Sequence, residues 1–322
     1  MHRSAIVSGL FILSTASAWA QGEGGAPTGF SLVGQWSGLY HEDELERTEP
    51  GPSPGDYTGF PITDAARYHA DSHKGDLTAV MEHQCIPHNA IYSLRGPANL
   101  SISVDRDPST GRVIAFVING TFGGASRIIW MDGRPHPSKF AAHTWGGFST
   151  GTWEGDTLKV TTTHIKAAYL RRNGITYDAS ATLTEFFDLH DKYLTITTLA
   201  RDPINLTEPL LRTESFEWNP YQPMGAPHAY GAACVPAPEL PHPEGWVPHY
   251  LPGANTTVTA YSESYGVPFE ATRGGAETMY PEYRKKLKTM IIPPAQVFIN
   301  KFAREHEGPE AVQKETPKEP AK

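Results

Sequence analysis

Gly147-Phe148-Ser149-Thr150-Gly151-Thr152-Trp153-Glu154-Gly155-Asp156-Thr157-Leu158-Lys159-Val160-Thr161-Thr162-Thr163 is the stretch whose reading decides the fold. It is rich in β-branched and aromatic residues on both sides of Glu-Gly-Asp, and such residues fit a pleated, half-buried surface. Trp153 ends one strand and Thr157 begins the next, so Glu154-Gly155-Asp156 is a tight hairpin loop whose glycine supplies a positive φ. The same pattern extends outward in both directions. Upstream, Asn99–Val104 and Arg112–Ile118 flank a longer turn over 105–111, and Arg127–Met131 follows. Downstream come Ala181–Leu189, Tyr193–Leu199 and Leu210–Trp218. Short strands at regular spacing with turn chemistry between them specify an all-β barrel or sandwich. The 28 prolines and 30 glycines favour turns over long helices in the same way. Because neighbouring strands follow in chain order, the preferred form is an antiparallel up-and-down meander closing into a barrel.

The first strand is Leu32-Val33-Gly34-Gln35-Trp36-Ser37-Gly38-Leu39-Tyr40. Its G-x-W opening resembles that of calycin-type barrels, lipocalins among them, in which the tryptophan plugs one end. Residues 1–20 precede it as a secretory signal: basic Met1-His2-Arg3, an apolar run from Ala5 to Leu13, then Ala18-Trp19-Ala20 before Gln21. Cleavage there predicts a periplasmic or secreted protein without stable membrane insertion. Residues 21–30 read as a flexible leader and 31–218 as the barrel domain. A helical insertion is expected near 63–83, capped by Thr63 or Asp64 and ended by Gly75. Residues 219–305 form a Pro-rich strap carrying His228, His242 and His249, with a late helix over Pro281–Met290, and 306–322 read as a disordered tail. The net charge of −8 without a basic stripe removes the electrostatic footing for nucleic acid.

Two cysteines are present, Cys85 and Cys234, and in an oxidising compartment two thiols favour a bridge. A metal reading of His83-x-Cys85-x-x-His88 competes with it, because a bridged sulfur is not a thiolate ligand. His69-x-x-x-His73 has helical spacing but no third ligand to complete a metal set.

Arg127-Ile128-Ile129-Trp130-Met131-Asp132-Gly133-Arg134-Pro135-His136-Pro137 precedes the hairpin. With the hairpin it resembles a family of exported bacterial proteins in which R-x-I-x-x-D-G-R-x-H-P is followed by G-x-S-x-G-x-W-E-G-D-T-L. Cys85-Ile86-Pro87 and Asp202-Pro203 match further segments of that family, and the likeness spans roughly residues 32–235. It implies membership and export, and carries no activity.

Ser149 matches G-x-S-x-G, but that motif needs a strand-to-helix elbow, and here it lies in a strand. Glu154 and Asp156 belong to the turn. Asp132-Gly133 makes another turn, after which Arg134 and His136 alternate between stiffening prolines, bringing a fixed guanidinium fork and a proton-exchanging imidazole together. His143 and Trp145 follow. His164 continues the face of Leu158, Val160 and Thr162, which predicts an inward position at a barrel mouth.

The resulting expectation is a barrel-mouth pocket for a small neutral or anionic organic molecule. His136, His164 and Arg134 are its catalytic candidates; Arg127, Asp132, His143 and Trp145 are its binding candidates; no metal and no cofactor are expected. If catalytic, such a site suits a cofactor-independent lyase, isomerase or hydratase, with a histidine moving the proton and an arginine holding the oxyanion. The alternatives are a non-catalytic cell-envelope binding or scaffold protein whose strap docks a partner, and a His-based metal-dependent enzyme.

Overall fold

The computed structural model describes residues 31–39, 52–74, 81–92, 99–119, 126–221, 236 and 241–290. The signal, leader, tail, His228 and Cys234 lie outside the described residues. The strands are β1 Gly34–Leu39, β2 Leu100–Arg106, β3 Val113–Asn119, β4 Arg127–Trp130, β5 Phe148–Glu154, β6 Thr157–Thr163, β7 Ala168–Arg171, β8 Ile175–Tyr177, β9 Thr182–His190, β10 Tyr193–Arg201 and β11 Leu210–Trp218. Nine of them close a barrel in the order β1-β11-β10-β9-β6-β5-β4-β3-β2, while β7 and β8 pair apart from it. The all-β barrel expected from the strand pattern is thus the fold.

Two features depart from a pure antiparallel meander. β4 and β5 pair in parallel, Ile129 opposite Ser149 and Trp130 opposite Thr150. Parallel neighbours need a long crossover, and residues 131–147 provide it. β6 pairs with β9 instead of its successor, because the β7–β8 hairpin leaves the wall. The β5–β6 hairpin closes in register from Phe148↔Thr163 to Glu154↔Thr157, with Gly155 at φ 64° in its two-residue loop.

Alternation sends one face of each strand into the lumen. Trp36, Leu100, Phe116, Ile129, Leu158, Val160, Phe187, Ile196 and Phe216 all point there and are buried. Each such side chain contributes roughly 1.5–3 kcal/mol by leaving water. The lumen is therefore packed, and Trp36 is fully buried with its indole Nε1–H donated to the Leu32 carbonyl at 2.9 Å.

A second core covers the barrel end at Leu183 and Ala200. Helix α1, Asp64–Asp71, starts at Thr63, whose hydroxyl accepts the Ala66 N–H. Its Ala66 and Ala70 are buried with Tyr57, Ile62, Ile175 and Tyr177. The C-terminal segment supplies α2 (Ala260–Tyr265), α3 (Phe269–Thr272) and α4 (Pro281–Leu287). It docks on α1 and the loop before it: Arg273 binds Asp71 through both terminal nitrogens, and Tyr57 N–H donates to the Thr272 carbonyl at 2.9 Å. The late helix ends at Leu287, short of the expected Met290, and the described part of the strap is more helical than its proline content predicts. Among the described residues no helix is long and apolar enough to cross a membrane.

Candidate functional site

The crossover that makes β4 and β5 parallel also builds the site. Residues 131–147 leave the lumen side and return over the outer face of the β5–β6 hairpin, where Phe148, Thr150 and Thr163 project away from the lumen. His136, between Pro135 and Pro137, lies on this face. Its Nδ1 is 2.7 Å from Thr163 Oγ1 and its Nε2 is 2.8 Å from Thr150 Oγ1, and its ring meets Phe148 edge-on at 5.2 Å.

His164 follows β6 with φ 56°, a left-handed conformation that breaks strand alternation. Ile165 takes the inward position and is fully buried. The expectation that His164 faces the lumen is therefore corrected: its ring lies outside, with Nδ1 2.7 Å from Thr163 Oγ1 and Nε2 2.9 Å from the Ser138 carbonyl. His143 stands 5.2 Å from His164, ring centre to ring centre, with its Nδ1 3.0 Å from the Ile165 carbonyl. The local backbone depends on Gly147 at φ 69°, where a Cβ would sit 2.7 Å from Thr162 Cγ2 and 2.9 Å from the Thr163 carbonyl oxygen. The three imidazoles border a cavity of about 450 Å³ together with Lys139, Thr182 and the Ala179–Ala181 turn.

Hydrogen-bond chemistry fixes where the protons are. A carbonyl only accepts, so His164 Nε2 carries a proton toward Ser138, and His143 Nδ1 carries one toward Ile165. In neutral His164, Nδ1 is then an acceptor and takes the Thr163 hydroxyl proton. The Thr163 oxygen, its proton used, accepts from His136 Nδ1–H. His136 Nε2 in turn accepts from the Thr150 hydroxyl. The chain Thr150, His136, Thr163, His164, Ser138 is polarised in one direction throughout. Burial, and then the neighbouring His164, push the His136 imidazole below its ordinary value, which keeps it neutral. His143 is different: its Nε2 carries no hydrogen bond among the described residues and is left as a bare lone pair. Nearby, Asp178 is held below the usual carboxylate range by the Ser180 hydroxyl and backbone N–H.

The other candidates lie elsewhere. Arg127 is inside the lumen, where its guanidinium pairs with both Glu185 carboxylate oxygens and donates to Ser149 at 3.1 Å and Thr162 at 2.6 Å. It faces away from the cavity because residue 127 is on the inward phase of β4. Arg134 binds Asp132 through Nε and Nη2 and stacks on Trp130 at 3.4 Å; neither residue of that pair lines the cavity, so the oxyanion role expected of Arg134 is withdrawn. Trp145 is also outside the lining; Lys166 covers its ring at 4.9 Å and its carbonyl accepts the Ala90 N–H. Ser149 is fully buried in the Arg127 network, and Gly151 of the same motif packs against Met131 and Ile129. The site's mouth is thus on the barrel wall, not at the lumen. Lys139, Thr150, Thr163 and Thr182 were missed by sequence reading; the outward phase of Thr150 and Thr163 along their strands was the available signal.

Among the described residues no group of three or more His, Cys, Asp or Glu side chains is arranged to hold a metal ion. Cys85 has φ 57°, and His88 stacks on Tyr92 at 4.3 Å. A larger cavity of about 650 Å³ lies between α1 and α3–α4, but its guanidiniums are committed, Arg67 to Asp64 and Arg273 to Asp71. Comparison with protein-family models, curated proteins and solved structures finds no match.

Proposed function

We propose that the chain is an exported small-molecule-binding barrel whose site is the wall cavity, and that its chemistry there is cofactor-free acid–base catalysis of the lyase, isomerase or hydratase type. One observation carries the reading: His143 donates Nδ1–H to Ile165, which directs its unprotonated Nε2 to accept a proton. His136 and His164 have both ring nitrogens engaged, so they serve as positioning residues that hold the loop and the face of the cavity.

Diethyl pyrocarbonate tests the assignment, since it acylates accessible, unprotonated imidazole nitrogen. Peptide mapping is expected to show His143 modified about tenfold faster than His136 or His164; equal or reversed rates defeat it. Catalysis is tested by deuterium uptake from D₂O into the C3 methylene of phenylpyruvate, the carbon between its ring and its ketone, expected above the buffer rate for the wild type and lost in His143→Gln. The non-catalytic binding reading is favoured by the self-satisfied His136–Thr163–His164 chain and requires no exchange above the buffer rate.

A further inference from the structure

We infer that the wall cavity takes a small carboxylate with an apolar body, its carboxylate on Lys139, its body against Pro137 and the Ala179–Ala181 turn, and its acidic C–H facing His143. This rests on the acid–base reading of the site and adds the substrate class. The polar groups around the cavity divide into committed and uncommitted ones. His136, His164 and Thr163 satisfy one another, and the Ser180 hydroxyl is held by Asp178. Three lining groups are uncommitted among the described residues: the Lys139 ammonium, the Thr182 hydroxyl and His143 Nε2.

Lys139 has no carboxylate partner there; its ammonium stands 5.1 Å from the ring of Phe140, which is 86% exposed. No carboxylate lines the cavity, and Asp178 is turned toward its own turn backbone. A cation, a hydroxyl and a base around an otherwise apolar hollow match an anion, a second polar group and a labile proton on one small molecule. The volume of about 450 Å³ lies in the lower part of the usual range for small ligands. Proton transfer balances simply: the C–H proton moves to His143 Nε2, and the electron pair passes to the adjacent acyl oxygens, where Lys139 stabilises the added charge.

The probes are phenylacetate and its neutral isostere phenylacetamide, titrated by calorimetry into the full mature chain at low salt. Phenylacetate is expected to bind about tenfold more tightly than the amide, the size of one charge-assisted contact. Lys139→Met removes the preference, Lys139→Arg keeps it, and Lys192→Met, at the far end of the barrel, leaves it unchanged. Equal affinities, a preference that survives Lys139→Met, or no binding of either probe at about 10 mM overturns the inference. Diethyl pyrocarbonate mapping of the same samples without probe separates the two levels. A reactive His143 with no carboxylate preference defeats the substrate class alone, whereas an unreactive His143 defeats the acid–base reading whatever the probes do.

Discussion

Replacing Arg127 by Met removes the cation that, among the described residues, neutralises Glu185, a carboxylate with no exposed surface inside the lumen. Both Glu185 oxygens are engaged by Arg127, and two hydroxyls, Ser149 and Thr162, receive two more of its protons. Removing one partner of a buried ion pair typically costs about 3–5 kcal/mol, because the other charge stays behind without compensation. For a barrel of this size each kcal/mol lowers Tm by roughly 2–4 °C, so Arg127→Met should melt on the order of 10 °C below the wild type. The double variant Arg127→Met/Glu185→Leu, which leaves no orphan charge, should recover most of that loss, since well-packed apolar replacements of buried pairs are often neutral. Urea denaturation followed by tryptophan fluorescence gives the free energies, and phenylacetate titration of each folded variant gives the binding. Arg127→Met within about 1 kcal/mol of the wild type would refute the buried-pair reasoning. Intact stability with lost binding would restore Arg127 as a ligand group.

His136, whose folded-state value lies below its ordinary 6.5, is neutral in the native protein while the unfolded chain takes up a proton first. Its contribution to stability is therefore complete above about pH 6.5 and is lost as pH falls through the lower folded value; Tm measured from pH 8 to 5 should fall less steeply in His136→Gln, and an unchanged slope counts against the assignment. Thr163→Val removes the hydroxyl that serves two imidazoles and should cost about 1–2 kcal/mol in denaturant unfolding, with Thr163→Ser close to wild type. N-terminal sequencing of secreted protein should begin at Gln21, and retention of residues 1–20 would end the export proposal. Thiol titration of unreduced, denatured protein should find no free thiol if Cys85 and Cys234 are joined, a bridge worth about 3–5 kcal/mol by chain entropy; two titrating thiols would return Cys85 to the metal reading.

The barrel was legible because its signal is local. Two-residue alternation through Leu158-Lys159-Val160 and the turn at Gly155 are set by neighbours in sequence, and the observed β5–β6 register follows from them. The parallel β4–β5 pair was not legible. Nothing in 131–147 marks the direction of return, since a crossover and a hairpin loop differ in where the chain goes and not in composition. The end of β6 was misread for a related reason. Alternation was carried one residue too far, onto His164, where the backbone changes hand. A single left-handed residue exchanges the faces of two neighbours, here sending Ile165 inward and His164 outward.

That exchange explains why a cluster containing His136, His143 and His164 stands on the wall and not in the lumen. The lumen of this barrel is lined by Trp36, Phe116, Phe187 and Phe216, and the Arg127–Glu185 pair within it is internally matched. The polar site described here stands outside, where it needs rigid supports. The parallel pairing provides them by forcing the long crossover back across the hairpin. Two outward threonines receive that crossover through His136, and the carbonyls of Ser138 and Ile165 orient His164 and His143. One consequence separates this arrangement from a surface accident. His136 ties the loop to the strands through Thr150 and Thr163, so loosening either threonine should raise the mobility of Lys139 and His143 together while the barrel stays intact.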